Sequence, residues 1–79
     1  METIETQFIN ILKEVMPEKM KIEIDTKTDL ISELELDSLL LFQLVDVVNE
    51  QMGINLFEID DFVSKFRNFG ALCQAIRDR

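Results

Sequence analysis

Ile4, Phe8, Ile11, Leu12 and Val15 recur at i, i+4, i+7, i+8 and i+11, while Glu2, Glu5, Gln7, Asn10 and Glu14 fill the other positions. That periodicity predicts an amphipathic helix with a narrow apolar face. Acidic residues in its first turn suit the positive end of the helix dipole. Pro17, the only proline, lacks a backbone donor and disfavours helix at Met16, so the helix should stop there.

From Glu18 to Asp37 the pattern weakens. Met20, Ile22 and Ile24 alternate with charged residues, as in a short strand. A single strand of that length has no evident partner, which favours an extended segment crossing the helices. Asp25-Thr26-Lys27-Thr28-Asp29 carries turn chemistry, and Leu30, Ile31, Leu34 and Leu36 supply apolar anchors that could tie a long connection to the core. Loops of this length in a small domain tend to be functional. The acids of the segment do not make a calcium loop. Lys27 stands at a ligand position and Leu30 where the turn glycine belongs.

The apolar run after Leu36-Asp37-Ser38-Leu39 predicts a second helix from about Ser38 to Met52, closed by Gly53 as a left-handed cap. Leu41, Leu44, Val45, Val48 and Met52 share a face that should be core. Leu39, Phe42 and Asp46 lie on another. Exposing Leu39 and Phe42 would forgo about 1.5–3 kcal/mol of burial each, which hints at a partner surface. The alternative is a bundle that surrounds this helix more fully and takes both residues into its core. Ile54 and Leu56 return the chain to the interior. Asp60 or Asp61 can cap a short third helix through Phe66, with Phe62 and Phe66 at i and i+4. Asn68 can cap a last helix whose Phe69, Leu72, Cys73 and Ile76 form one stripe, with Arg77 and Arg79 near its negative end.

Seventy-nine residues allow one domain, spanning the chain, with a thin and continuous core. An apolar fraction of 47% argues against disorder. With no histidine and a single cysteine, a Ser-His-Asp triad, a Cys–His dyad and a histidine metal site are excluded within the chain, and it is not expected to be an enzyme. Cys73 reads as a small buried hydrophobe. The net charge is −8, and no basic residue falls between Lys27 and Lys65. Such a field repels nucleic acid and anionic lipid and attracts basic protein surfaces. The N-terminus lacks a signal-peptide core and no apolar run is long enough to span a membrane. A lone free thiol fits a reducing compartment, so the cytoplasm is expected.

Several pieces, in order, resemble the acyl and peptidyl carrier proteins. They are Thr28-Asp29-Leu30, Leu36-Asp37-Ser38-Leu39, Met52-Gly53-Ile54-Asn55-Leu56, and Phe66-Arg67-Asn68-Phe69-Gly70-Ala71-Leu72 through Ile76. The resemblance covers nearly the whole chain. It implies an all-α four-helix bundle with a short third helix and a long loop between the first two. It also implies that Ser38, flanked by Asp37, carries covalent 4′-phosphopantetheine from coenzyme A, whose thiol holds acyl or aminoacyl groups as thioesters.

The implied partners are a phosphopantetheinyl transferase, a loading enzyme and downstream synthases or transferases of a fatty-acid, polyketide or nonribosomal-peptide type pathway. Their basic patches would dock on Leu39, Phe42, Asp46 and Glu35 of a monomer. Physical chemistry supports the serine independently, because a phosphate is favoured beside the free N–H groups of a helix N-terminus. Ser38 could instead simply cap the helix, unless Asp37 takes that role and leaves the serine free. Three departures stand out: Glu35 where many members have glycine, Phe57 where proline is frequent, and Asp46 where an apolar residue is common. They favour a dedicated stand-alone carrier over a housekeeping fatty-acid one. An unmodified helical adaptor binding through Leu39 and Phe42 is the alternative from another class.

Overall fold

A computed structural model describes residues 3–78, and every regular element in them is helical. The helices are α1 (Ile4–Val15), α2 (Leu30–Glu33), α3 (Ser38–Met52), α4 (Phe62–Lys65) and α5 (Phe69–Asp78), with 3₁₀ turns at Pro17–Lys19 and Leu56–Glu58. Glu2 and Arg79, expected on the wet face of the first helix and at the end of the last, lie outside the described residues.

Thr3 caps α1, its hydroxyl accepting the Thr6 N–H at 3.1 Å. The helix ends just before Pro17, as the proline requires. The α1 stripe packs on α3 and α5, burying Phe8, Ile11 and Leu12, with Ile4 and Val15 only half-buried at its ends. Leu44 and Val48 of α3 and Leu72, Cys73 and Ile76 of α5 join them in the interior, and no polar or charged residue is buried among the described residues. Leu41 and Met52, expected in the core, lie at its margin and are half-buried. Arg77 near the end of α5 pairs with Glu5 of α1. That contact holds the Glu5 carboxyl below its ordinary range.

All six phenylalanines of the chain form one line of ring contacts. Phe42 meets Phe57 at 6.0 Å, Phe57 meets Phe62 at 5.2 Å, Phe62 meets Phe66 at 6.3 Å, and Phe8 lies 6.0 Å from both Phe66 and Phe69. The line runs from the surface of α3 to the centre of the core.

The connection from α1 to α3 is more structured than a long loop. Pro17–Lys19 makes a 3₁₀ turn, and α2 adds one helical turn capped by Asp29, which accepts the Ser32 N–H at 3.1 Å. That hydrogen bond is the main reason the Asp29 carboxyl titrates below its usual range. Leu30 and Leu34 are fully buried, so the expected anchors do hold the segment down. Met20 and Ile24 are half-buried while Ile22 faces solvent, and no strand forms among the described residues.

Three backbone hydrogen bonds then join the start of this turn to the entry of α5. They run from Gly70 N–H to Thr26 O (2.8 Å), Phe69 N–H to Thr28 O (3.0 Å) and Leu30 N–H to Phe66 O (2.8 Å). A Cβ at Gly70 would sit 2.9 Å from the Thr26 carbonyl oxygen, so this approach admits only glycine without a backbone shift. Arg67 adds a 3.5 Å ion pair to Asp29.

At the third short helix one expectation is corrected. Asp61 occupies the cap position of α4, but it is left-handed, with φ 55°, and its side chain makes no capping hydrogen bond. A carboxylate in that conformation is not aimed at the N–H groups of the next turn. Asn68, by contrast, caps α5 as expected, accepting the Ala71 N–H at 2.8 Å.

Cys73 is fully buried, and burial pushes its thiol up to about 11. Almost no thiolate exists at neutral pH, so the group should be inert in the folded chain. The folded, unmodified protein is expected to give no reaction with Ellman's reagent, and the denatured protein one equivalent. Rapid stoichiometric labelling of the folded chain would show that the thiol is reachable and this packing wrong.

Candidate functional site

The approach to Ser38 is a run of local rules acting in sequence. Helix α2 ends at Glu33 with Leu34 as its C-terminal cap, and Glu35 turns the chain into the left-handed region with φ 52°. Leu36 N–H then reaches back to the Ile31 carbonyl at 3.0 Å, the six-to-one bond of a Schellman motif. Ile31 and Leu36, the positions where this motif commonly carries apolar residues, are both half-buried against the core. The next residue, Asp37, is extended and its carboxylate accepts the Leu40 N–H at 2.8 Å, opening α3. Asp37 is therefore the cap, and Ser38 is the first residue of the helix.

That division of labour leaves the Ser38 hydroxyl without a hydrogen-bond partner among the described residues, on an exposed residue. The Asp37 side chain satisfies Leu40, and its carbonyl accepts from Leu41. The N–H groups of Ser38 and Leu39 remain unpaired at the positive end of a fifteen-residue helix. An anion esterified to this serine would lie beside two free donors, so the residues present fit a phosphate-linked group.

The left-handed residue explains one departure in the sequence. An L-residue in that region costs roughly 1–2 kcal/mol, which glycine avoids. Glu35→Gly is expected to raise unfolding stability by about 1 kcal/mol, or about 4–8 °C in melting temperature for a domain of this size. A fall in stability would mean that the glutamate side chain makes a contribution its exposed position does not reveal.

Although no basic residue falls between Lys27 and Lys65, the fold brings a cation to Glu35, three residues before Ser38. Lys19, from the 3₁₀ turn after α1, donates its Nζ to the Glu35 carbonyl at 3.3 Å. Nothing in the linear order placed residues 19 and 35 together; the folded connection does. The bond goes to backbone, so it neutralises no carboxylate and would survive Glu35→Gly.

Beyond the serine, α3 divides as its pattern implies. Leu44, Val45 and Val48 are buried, whereas Leu39 and Phe42 are 76% and 55% exposed and Asp46 is exposed beside them. Phe42 is therefore a surface residue. Phe57, not singled out as a site residue, is 56% exposed and touches Phe42. Its only signal in the sequence was standing where proline is frequent. No metal-binding group of His, Cys, Asp or Glu occurs among the described residues, and none of their helices is long and apolar enough to cross a membrane.

An exposed serine with an unengaged hydroxyl, at the start of a helix capped by its neighbour, can be esterified without disturbing the fold. No curated protein and no solved structure matches the chain. The model of one protein family, described as the phosphopantetheine attachment site, matches residues 7–76, nearly the whole chain. This protein belongs to that family, whose domain is the place of covalent 4′-phosphopantetheine attachment.

Proposed function

We propose that Ser38 is the attachment residue and that the protein is a carrier of acyl or aminoacyl groups for a secondary-metabolite or amino-acyl pathway. The observation that carries this reading is the free hydroxyl of Ser38 beside the two unpaired N–H groups at the start of α3. When attached, the arm supplies a terminal thiol that holds cargo as a thioester.

The chain's own residues have simpler roles. Asp37 holds the helix start so that Ser38 need not. The turn at Glu35 presents the serine to the transferase. Leu39 and Phe42 offer apolar contact, while Asp46 and Glu35 supply negative charge that speeds encounter with basic partner surfaces. Contacts should be small and transient, below about 1,200 Å² in total, because one carrier must visit several enzymes. On this reading these 79 residues form one carrier domain that acts as a monomer in the cytoplasm and performs no chemistry itself.

The test is intact-protein mass spectrometry after incubation with a phosphopantetheinyl transferase and coenzyme A, with the modified peptide sequenced. A gain mapped to Ser38 supports the assignment; a gain elsewhere, or none, overturns it. The thioester released from protein purified from its native host identifies the cargo class. An unmodified adaptor would show the opposite pattern, with Ser38→Ala silent and Phe42→Ala severe.

A further inference from the structure

Lys19 stands apart from the other cations of its half of the chain. Lys13, Lys21 and Lys27 are exposed, whereas Lys19 is half-buried. The chain has 16 acidic side chains, yet among the described residues no carboxylate pairs with the Lys19 ammonium. Its Nζ donates instead to the backbone carbonyl of Glu35 at 3.3 Å. The root of the side chain is fixed, because the Lys19 N–H bonds the Met16 carbonyl at 3.1 Å and Met16 is buried. On the far side, Glu35 stands between the buried Leu34 and the half-buried Leu36.

The carbonyl held in this way belongs to the strained residue. Glu35 is left-handed, with φ 52°, where many members of the family have glycine. A glutamate there favours leaving the left-handed region. Doing so would break the Leu36 N–H bond to the Ile31 carbonyl and swing the segment that carries Asp37 and Ser38. Asp37 secures the first turn of α3 from within, but not the way that turn is joined to α2. Lys19 adds a bond from outside, anchored on the 3₁₀ turn Pro17–Lys19. Charge alone would give the lysine the opposite role. In a chain of net charge −8, removing a cation should strengthen attraction to the basic partner surfaces proposed above.

We infer that Lys19 is a positioning residue for phosphopantetheine attachment, whose bond to the Glu35 carbonyl keeps the left-handed turn populated and so presents Ser38. In this chain the lysine supports a glutamate at a position where glycine would need no support. The inference rests on the attachment reading above. A turn that is only partly populated lowers the apparent affinity of the transferase by the populated fraction, so the effect falls on KM and not on kcat.

The experiment measures steady-state transfer from coenzyme A to the full chain by a phosphopantetheinyl transferase, with amide hydrogen exchange on the same proteins. Lys19→Met keeps the stem and removes the charge and the donor. It is expected to raise KM for the carrier by about threefold or more, with kcat little changed. Exchange of the Leu36 amide should quicken by a similar factor, while the amides of Leu44 and Leu72 stay as protected as in wild type. Lys19→Arg should restore most of the wild-type KM. The effect of Lys19→Met should persist in Glu35→Gln, which keeps the strain and removes the carboxylate. It should shrink in Glu35→Gly, which removes the strain. An unchanged or lower KM in Lys19→Met, on a wild type that is modified at Ser38, overturns this inference alone. Loss of the effect in Glu35→Gln would make the lysine an ion-pair partner and overturn it too, as would equally quickened exchange at Leu44 and Leu72, which would make its role one of global stability. A wild type that takes no arm at Ser38 overturns the attachment reading itself, and this inference with it.

Discussion

Ser38→Ala is expected to abolish the mass gain completely while leaving the fold intact. Alanine keeps the backbone and helix propensity at the first position of α3 and deletes only an oxygen that bonds to nothing else among the described residues. The capping hydrogen bond belongs to Asp37, so stability should change by less than about 0.5 kcal/mol, as for an ordinary surface substitution. Asp37→Ala should separate the two effects. It removes the 2.8 Å bond to Leu40 N–H and costs about 1 kcal/mol, with fraying at the helix start. Modification should be slowed there but not eliminated, since the hydroxyl remains. Should Ser38→Ala instead melt far below wild type, the serine would be structural and the division between cap and attachment residue would be lost.

The second large effect lies at the other end of the aromatic line. Phe8 is fully buried and is the one ring in contact with both Phe66 and Phe69, where α1, the exit of α4 and the entry of α5 converge. Truncation to alanine removes a ring from a filled interior and leaves a cavity, which costs about 3–5 kcal/mol. At roughly 0.05–0.15 kcal/mol per residue, a domain of this length has about 4–12 kcal/mol of total stability. Phe8→Ala should therefore remove about a quarter or more of that stability, seen as a much earlier urea midpoint and a lower melting temperature. Phe8→Leu, which fills most of the volume, should cost far less. A cost below about 1 kcal/mol for the alanine variant would mean that the core closes around the gap and that the line of rings is not its spine.

The two substitutions mark the separation on which a carrier depends. On the proposed reading, Phe8 belongs to what must not change as cargo passes from enzyme to enzyme, whereas Ser38 belongs to a surface that can be modified at little structural cost. Phe42 joins them, since the ring that stands in solvent begins the contacts that end at Phe69. On the proposed reading, the acidic charge near Phe42 attracts basic partner surfaces, and the same charge disfavours nucleic acid.

Much of this was legible in the order of residues, because the signals are local. Helical spacing needs only neighbours three and four positions apart, so the faces of α1, α3 and α5 could be drawn before any tertiary contact was known. Pro17 as a stop, Gly53 as a left-handed cap (φ 67°) and Asn68 as the α5 cap follow from backbone chemistry within a few residues. Where local chemistry offered two solutions, pattern could not choose. Asp37 or Ser38 could cap α3, Phe42 could be core or surface, and Asp60 or Asp61 had a cap to fill that the left-handed backbone at Asp61 leaves unfilled.

By itself, then, the sequence determined an all-helical chain, an acidic surface and a serine at the head of its most apolar helix. Tertiary structure decided the rest, because each remaining feature is a contact between distant positions. The backbone hydrogen bonds that tie Thr26, Thr28 and Leu30 to Gly70, Phe69 and Phe66 turn a long connection into a strut. Lys19 reaches a turn sixteen residues away, and Phe57 meets Phe42 only because the 3₁₀ turn folds back beside α3. A period of 3.6 residues fixes which side of a helix is apolar. How much of that side its neighbours cover is settled only once all the helices have packed.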